Sequence, residues 1–121
     1  MECIFCKITN GDIPSYTIYE NEYVKCFLDV NPASNGHTLI IPKKHFLDIN
    51  DIDEKYLLEI NKASKEVVTI INKSFNPQGI KINQNNGNIQ EIKHYHMHVI
   101  PNYINNKKKL NVEEVYKIIT K

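Results

Sequence analysis

Alternating apolar and polar positions predict β-strands in the first third of the chain. The segment IYENEYVKCFLDV, residues 18–30, contains two candidate strands around a turn at residues 20–22. Every second side chain of its latter half is apolar, which gives one face for a core. The stretch NPASNG that follows has the composition of a turn. HTLIIP, residues 37–42, then predicts a third strand that a proline ends.

The hydrophobic period changes to three and four residues within residues 53–74. The apolar positions with this spacing are Tyr56, Ile60, Ala63, Val67, Ile70 and Ile71. Such a stripe is typical of an amphipathic helix with one buried face. Pro77 and Gly79, which break helices, mark its end. Asn111 and Glu114 have the spacing of a capping box and predict a short C-terminal helix.

Two further strands complete the predicted fold. They are GIKIN, residues 79–83, and HYHMHVIP, residues 94–101, which we expect to be hairpin neighbours. Their polar connection, residues 84–93, is long for a hairpin, and long loops are often functional. The pattern predicts an α+β domain spanning residues 1–121. It has a mainly antiparallel five-stranded sheet, one long helix and a short C-terminal helix.

Composition excludes some classes of partner. The chain of 121 residues has a formal net charge of only +1, so we expect no nucleic-acid or membrane surface. It has no arginine, so any phosphate site must work without guanidinium groups. A lysine run at 107–109 is expected to lie in solvent. The first residues have neither a basic head nor a signal-like apolar run, which predicts a cytoplasmic protein. Three cysteines, an odd number, argue against a disulfide framework.

Three of the five histidines occupy alternate positions of the last predicted strand: His94, His96 and His98. Alternate residues of a strand point to the same face, so these imidazoles share one face. The intervening side chains are apolar and are expected to face the core: Tyr95, Met97 and Val99. The histidine face should therefore line an open groove.

Several interpretations fit this row of histidines. Alternate residues lie about 6.6 Å apart on a strand and the outer two about 13 Å, whereas Zn–N bonds measure about 2.1 Å. Two imidazoles can therefore share one metal ion, and three only with difficulty. Alternatively, one imidazole is a nucleophile and its neighbours bind the charge of a substrate. Three exposed histidines without a role are the remaining interpretation.

Four segments resemble a known family. HYHMHVI matches the histidine triad pattern, His-φ-His-φ-His-φ-φ, in which φ is apolar. GHTLIIPKKH, CIFCKITNGDIP and CFLDVNPASNGH are similar to other signature segments of that family, with similar spacing. The similarity extends from residue 3 to residue 101. On these segments the chain is identified as a member of the histidine triad (HIT) superfamily, most similar to its bacterial Hint-like branch.

The resemblance implies a hydrolase of purine nucleoside phosphoramidates or adenylates that works as a homodimer. The middle histidine, here His96, would attack the α-phosphate, and water would then release the nucleoside monophosphate. The backbone carbonyl of His94 would keep the other ring nitrogen of His96 protonated. His98 and His37 would contact the phosphate oxygens.

The same resemblance implies a set of substrate contacts. Asp29 would bind ribose hydroxyls, and Val30 would form a wall of the base pocket. Asn83 and Gln90 would lie near the phosphate and the leaving group. No organic cofactor is implied.

Cys3 and Cys6 have the Cys-x-x-Cys spacing of a metal knuckle, which is a weak signal alone. The resemblance implies that His45 and His94 complete a Cys₂His₂ zinc site. Such a site has no open coordination position and would be structural. Cys26 is expected to be a buried strand residue.

Other functions remain open at this stage. The same site would suit a hydrolase of dinucleoside polyphosphates. A nucleotide-binding regulatory module with little catalysis, or a metal-binding protein with an ion at His96 and His98, would belong to a different class. The intact triad argues against these last two.

Overall fold

The computed structural model describes residues 3–104 and 108–121. The described elements are α1 (Ile4–Thr9), β1 (Thr17–Glu20), β2 (Val24–Leu28), β3 (Thr38–Pro42), α2 (Glu54–Phe75), β4 (Gly79–Gln84), a 3₁₀ turn (Gly87–Ile89), β5 (Met97–Asn102) and α3 (Val112–Ile119). Lys107, the first residue of the predicted lysine run, lies outside the described residues. Lys108 and Lys109 are exposed, as expected.

The five strands form one antiparallel sheet in the order β1-β2-β3-β5-β4. This arrangement confirms the predicted α+β class and the hairpin partnership of β4 and β5. Because β5 lies between β3 and β4, His98 has Leu39 opposite it on one side and Asn83 on the other. The sheet therefore brings three distant segments of the chain to one place.

One face of the sheet packs against α2. The cluster between them contains Ile60, Val67 and Ile71 from α2, Cys26 from β2, Ile40 from β3, and Met97 and Val99 from β5. Tyr95 belongs to the same cluster, so the alternation predicted for the histidine segment is confirmed. Cys26 is fully buried, and burial, with a smaller effect of Glu20, raises the pKa of its thiol to about 12.

Both predicted helices are present with their caps. α2 begins after Asp53, whose side chain accepts a hydrogen bond from the Lys55 N–H at 2.7 Å. It ends at Phe75, and the capping residue Asn76 that follows adopts a left-handed conformation with φ of 47°. At α3 the predicted capping box of Asn111 and Glu114 is complete.

The opposite face of the sheet is partly covered by α1, a helix that the hydrophobic pattern does not predict. Phe5 and Ile8 of α1 are buried against Phe27, Leu39 and Ile41 of the sheet. The helix has only six residues, and such short helices are not stable alone in water. Its position therefore depends on tertiary contacts.

The histidine strand begins later than predicted. β5 starts at Met97, and residues 94–96 form an irregular entry to it. The His94 N–H donates to the Ile92 carbonyl at 2.8 Å, and the Tyr95 N–H donates to the Phe46 carbonyl at 2.7 Å. At residues 94 and 95 these bonds take the place of the hydrogen bonds between neighbouring strands, so His94 is positioned by loop contacts.

Among the helices of the described residues, none combines the length and the apolar character needed to cross a lipid bilayer. The cytoplasmic location stays a prediction.

Gly36, immediately before His37, adopts a φ of +93°, which L side chains rarely take. A Cβ there would also lie 3.3 Å from Cγ of Pro101. We expect Gly36→Ala to lower the free energy of unfolding by about 1–3 kcal/mol, measured by urea denaturation. Gly79→Ala is the control, because a Cβ at Gly79 meets no atom of the described residues within 4 Å. Equal stability of the two variants would contradict this expectation.

Candidate active site and metal centre

A groove of about 540 Å³ lies on the face of the sheet opposite α2. Five predicted site residues line it: Asp29, Val30, His37, His96 and His98. They follow β2, precede β3 or belong to the β5 segment, and these strands are neighbours. The volume lies within the range of small-molecule sites.

The backbone sets the tautomer of His96. Its Nδ1 lies 2.8 Å from the carbonyl oxygen of His94. Because a carbonyl oxygen only accepts, Nδ1 carries the proton and donates it. Nε2 is then the nitrogen with the available lone pair, as a nucleophile requires. The contact between the His94 carbonyl and His96 that the resemblance implied is therefore present.

A chain of hydrogen bonds sets the tautomers of the other two groove histidines. The Ala33 N–H donates to Nδ1 of His37 at 2.9 Å. The ring proton of His37 is therefore on Nε2, which donates to Nδ1 of His98 at 3.0 Å. His98 in turn is protonated on Nε2. Oδ2 of Asp29 lies 3.6 Å from Nε2 of His37.

Burial keeps both of these rings neutral near pH 7. The pKa of His98 is lowered to about 4 by burial first and then by His96 and His37, while Asp29 opposes the shift. Burial also lowers the pKa of His37, against the carboxylate of Asp29, which raises it. The pair therefore carries no positive charge, and its available donor is the Nε2–H of His98, because His37 already donates its ring proton to His98.

Most of the remaining groove wall is apolar, and the sequence did not predict it as part of the site. It includes Ile4, Phe5, Ile8, Ile13, Phe27, Leu39 and Ile92. Strand alternation could have indicated Phe27 and Leu39, which point away from α2. No periodic signal marks Phe5, because it lies on the short helix α1.

Asn83 and Gln90 do not line the groove. Asn83 lies opposite His98 in the ladder, and its Oδ1 is buried without a hydrogen-bond partner among the described residues. An unpaired buried acceptor is costly unless a ligand or water meets it. Gln90 is 3% exposed, and its Nε2 donates to the Leu47 carbonyl at 2.6 Å. Substrate contacts of both residues stay predictions.

Two cysteines and two histidines converge at the start of the triad. Sγ of Cys3 lies 3.4 Å from Nδ1 of His94, and Sγ of Cys6 lies 3.2 Å from Nδ1 of His45. The two Nδ1 atoms are 3.1 Å apart, and all four ligand atoms lie within 4.8 Å of one another. Two thiols and two imidazoles at this spacing can hold a metal ion. They are the four predicted ligands.

The surroundings of His94 suit it as a ligand. Its Nε2 donates to the Pro42 carbonyl at 3.0 Å, so Nδ1 presents a lone pair to the sulfur atoms. The ring is fully buried, and burial lowers its pKa to about 4, opposed by the Pro42 bond. Burial and then Cys3 raise the pKa of Cys6 to about 11, a shift that a bound cation reverses.

Asp29, His37 and His98 also place three potential ligand atoms within 4.8 Å of one another. The hydrogen bond from Ala33 argues against an ion there. It occupies Nδ1 of His37, so Nε2 carries the proton and cannot coordinate a metal. These three side chains form a hydrogen-bonded set.

Comparison with known proteins identifies the family. The sequence profile of the HIT domain matches residues 10–105. The chain belongs to the HIT family. His94, His96 and His98 are thus the histidine triad of a HIT protein.

Relatives of this HIT protein occur in several lineages. Protein hit of Bacillus subtilis is 42% identical over 103 residues, which are 84% of this chain and 71% of the relative. An adenosine 5′-monophosphoramidase of Schizosaccharomyces pombe is 39% identical over 103 residues, 84% of this chain and 74% of the relative. The crystal structure of a Zn-bound histidine triad family protein from Mycobacterium smegmatis matches with a TM-score of 0.88 and 31% identity, covering 98% of this chain and 91% of that chain.

We expect the metal-depleted HIT protein to lose stability in acid. The pKa of His94 is about 4 in the folded chain and 6.5 when unperturbed, so the unfolded state binds more protons between these values. The stability is complete above pH 6.5 and falls toward pH 4, by up to about 3 kcal/mol for this residue. Urea unfolding of EDTA-treated protein from pH 7 to pH 4 measures it. His94→Gln should flatten the profile, and an unchanged slope would contradict the assignment.

Proposed function

We propose that the protein hydrolyses purine nucleoside phosphoramidates or adenylates at the α-phosphate. The tautomer of His96 carries the proposal, because it presents the Nε2 lone pair in a groove that also holds the neutral imidazole N–H donor of His98, oriented by His37. Relatives named adenosine 5′-monophosphoramidase in two yeasts support this class of substrate.

The reaction has two displacements at one phosphorus atom. Nε2 of His96 attacks the α-phosphorus, the bond to the leaving group breaks, and the departing amine takes a proton from solvent, which the attacking water of the second step returns. The nucleotide is then held covalently on His96. Water attacks the same phosphorus, the P–Nε2 bond breaks, and a nucleoside monophosphate leaves. One water is consumed for each bond cleaved.

Phosphate recognition proceeds without arginine. Phosphoryl transfer depends mainly on positioning and on stabilising charge at the phosphoryl oxygens. The Nε2–H of His98, oriented through His37, would donate to those oxygens. Asn83 lies opposite His98, and its Oδ1, which has no partner among the described residues, would accept a hydrogen bond from a donor such as the leaving amine. Neutral donors pre-set by the fold would thus replace cations.

The nucleoside would lie along the rest of the groove. Oδ1 of Asp29 accepts the Asn31 N–H at 2.9 Å, which orients the carboxylate for ribose hydroxyls. Val30 is 67% exposed in the groove and would cover one side of the base. Phe27 and Leu39 add an apolar floor that suits a flat purine.

We expect His96→Asn to lower turnover of adenosine 5′-phosphoramidate by at least about 1000-fold, because the nucleophile is removed. AMP formation measures the rate. Calorimetric binding of AMP should change by less than about tenfold, which separates lost chemistry from lost binding. Turnover equal to wild type would rule out His96 as the nucleophile.

The same assay separates the alternative functions. Faster cleavage of dinucleoside polyphosphates than of the phosphoramidate by the wild-type protein would favour the second enzyme class. Tight AMP binding with negligible turnover of both substrates would favour a regulatory binding module.

We further propose that Cys3, Cys6, His45 and His94 hold a structural zinc ion. Tetrahedral zinc with Zn–S bonds of about 2.3 Å and Zn–N bonds of about 2.1 Å places its ligand atoms roughly 3.3–3.8 Å apart. The sulfur–nitrogen distances in the cluster are 3.2, 3.4 and 3.6 Å. The Zn-bound relative from Mycobacterium smegmatis supports this metal. Zinc bound by these four residues would hold the N-terminal segment in place against the triad.

We expect the purified protein to bind one zinc per chain, measured by atomic absorption. Removal by a chelator should lower the free energy of unfolding by about 3 kcal/mol or more, since ligand binding to the folded state is lost. Cys6→Ser should lose most of the metal. Cys26→Ala, which removes a thiol outside the cluster, should keep it. Full zinc content in Cys6→Ser would contradict the ligand set.

We also propose a homodimer formed through β4. This strand is one edge of the sheet, and its Ile82 is 47% exposed. The other edge, β1, is shorter and is irregular between Thr17 and Tyr19. A long regular edge strand with an exposed apolar side chain is suited to pairing with a second copy.

In light scattering after gel filtration, we expect twice the chain mass of 14.1 kDa. Ile82→Asp should shift the protein to the monomer, because a charge would be buried at the paired edge. Ile118→Asp is the control, since Ile118 is an exposed isoleucine on α3, which is not a strand of the sheet. A dimer that persists in Ile82→Asp would exclude this edge as the interface.

A further inference from the structure

Phe5 connects the cysteine–histidine cluster with His96. Its ring centroid lies 5.2 Å from that of His96 and 5.8 Å from that of His94, at 76° and 84°. Phe27 packs against another side of the same ring at 5.7 Å. Phe5 is only 4% exposed. Edge-to-face contacts of this kind favour one relative orientation of the rings, so Phe5 restricts the rotation of His96.

The position of Phe5 depends on the two cysteines that flank it. Phe5 lies on the six-residue helix α1, whose N-terminal cap is Sγ of Cys3, which accepts the Cys6 N–H at 3.4 Å. The same two sulfur atoms are the ones that approach His45 and His94. Joining the four ligand atoms would therefore fix α1 at the turn that carries Phe5.

His94 is also held in place by hydrogen bonds that do not involve the sulfur atoms. Its ring donates to the Pro42 carbonyl at 3.0 Å, and its backbone N–H donates to the Ile92 carbonyl at 2.8 Å. Without metal, the His94 carbonyl, which accepts the hydrogen bond from Nδ1–H of His96, would stay in place. Phe5 is the contact of His96 that depends on the cluster.

We propose that Phe5 is a positioning residue for His96, and that loading of the cysteine–histidine cluster acts on the reaction through it. With the four ligands joined, α1 is immobilised and the Phe5 ring holds His96 against the His94 carbonyl. With the ligands separated, α1 loosens and His96 samples other orientations. The inference rests on the proposed zinc site and, for its kinetic consequence, on the proposed hydrolase.

A two-by-two experiment tests the link by comparing wild type and Phe5→Leu, each zinc-loaded and metal-depleted. Depletion should lower kcat of wild type for adenosine 5′-phosphoramidate by about 10- to 100-fold. Zinc-loaded Phe5→Leu should show a loss of kcat of similar size relative to zinc-loaded wild type. Depletion of Phe5→Leu should add less than about threefold, because the connection is already broken. Between zinc-loaded and metal-depleted wild type, KM should change less than kcat.

Phe75→Leu is the matched control. Phe75 is also a buried phenylalanine, 7% exposed. It lies in a separate hydrophobic cluster with Leu28 of β2 and Val115 of α3 and does not line the groove. Loaded Phe75→Leu should keep kcat within about threefold of wild type and respond to depletion as wild type does. Its loss of stability calibrates the general effect of removing a buried ring.

A second readout does not require turnover. The Nδ1 proton of His96, bonded to the His94 carbonyl, should give a protected imidazole N–H resonance by NMR in loaded wild type. We expect that resonance to broaden or disappear on depletion and in loaded Phe5→Leu, and to persist in loaded Phe75→Leu. If wild type lacks turnover, the hydrolase proposal fails and the resonance alone decides the role of Phe5. If depletion unfolds the chain, the loaded variants decide it.

Two results would overturn the inference. The first is additive effects of depletion and Phe5→Leu on kcat in folded protein. The second is an unchanged His96 resonance in loaded Phe5→Leu.

Discussion

The constrained position of His94 is what the rest of the site depends on. Its ring is fully buried and donates to the Pro42 carbonyl, which leaves Nδ1 directed at Cys3 and Cys6. Its backbone carbonyl accepts a hydrogen bond from the Nδ1–H of His96. One residue thereby belongs to the candidate metal centre through its side chain and to the candidate active site through its backbone. Burial can be tolerated only because each polar atom of the ring has a partner and the ring stays neutral.

One face of the sheet forms the main core, and the other face carries the candidate active site. The long helix α2 buries one face and builds the main core. The other face is only partly covered, because α1 is six residues long, and the uncovered part is the groove. Neutral histidines suit this half-buried position better than arginines would, since an unpaired guanidinium is costly to desolvate. Their directionality comes from backbone donors and acceptors, as with Ala33 and His37.

Periodicity alone was sufficient for most of the architecture. The strands, α2 and the capping box of α3 follow from local patterns, because burying one face of an element imposes its period on the sequence. The elements that escaped prediction have no local period. α1 is too short to show a stripe, and the entry to β5 at His94 is decided by bonds to Ile92 and Phe46.

For the site, the sequence determined which residues could react and which side of the strand they share. Alternation grouped the triad, and resemblance to a family added Asp29, His37 and the four possible metal ligands. Only the tertiary structure decided the tautomer of His98, the enclosure of His96 by Phe5, and the burial of Gln90 away from the groove. Those features depend on partners far away along the chain. A hydrogen bond or ring contact between distant segments leaves no periodic trace in either segment, because only folding brings the two together.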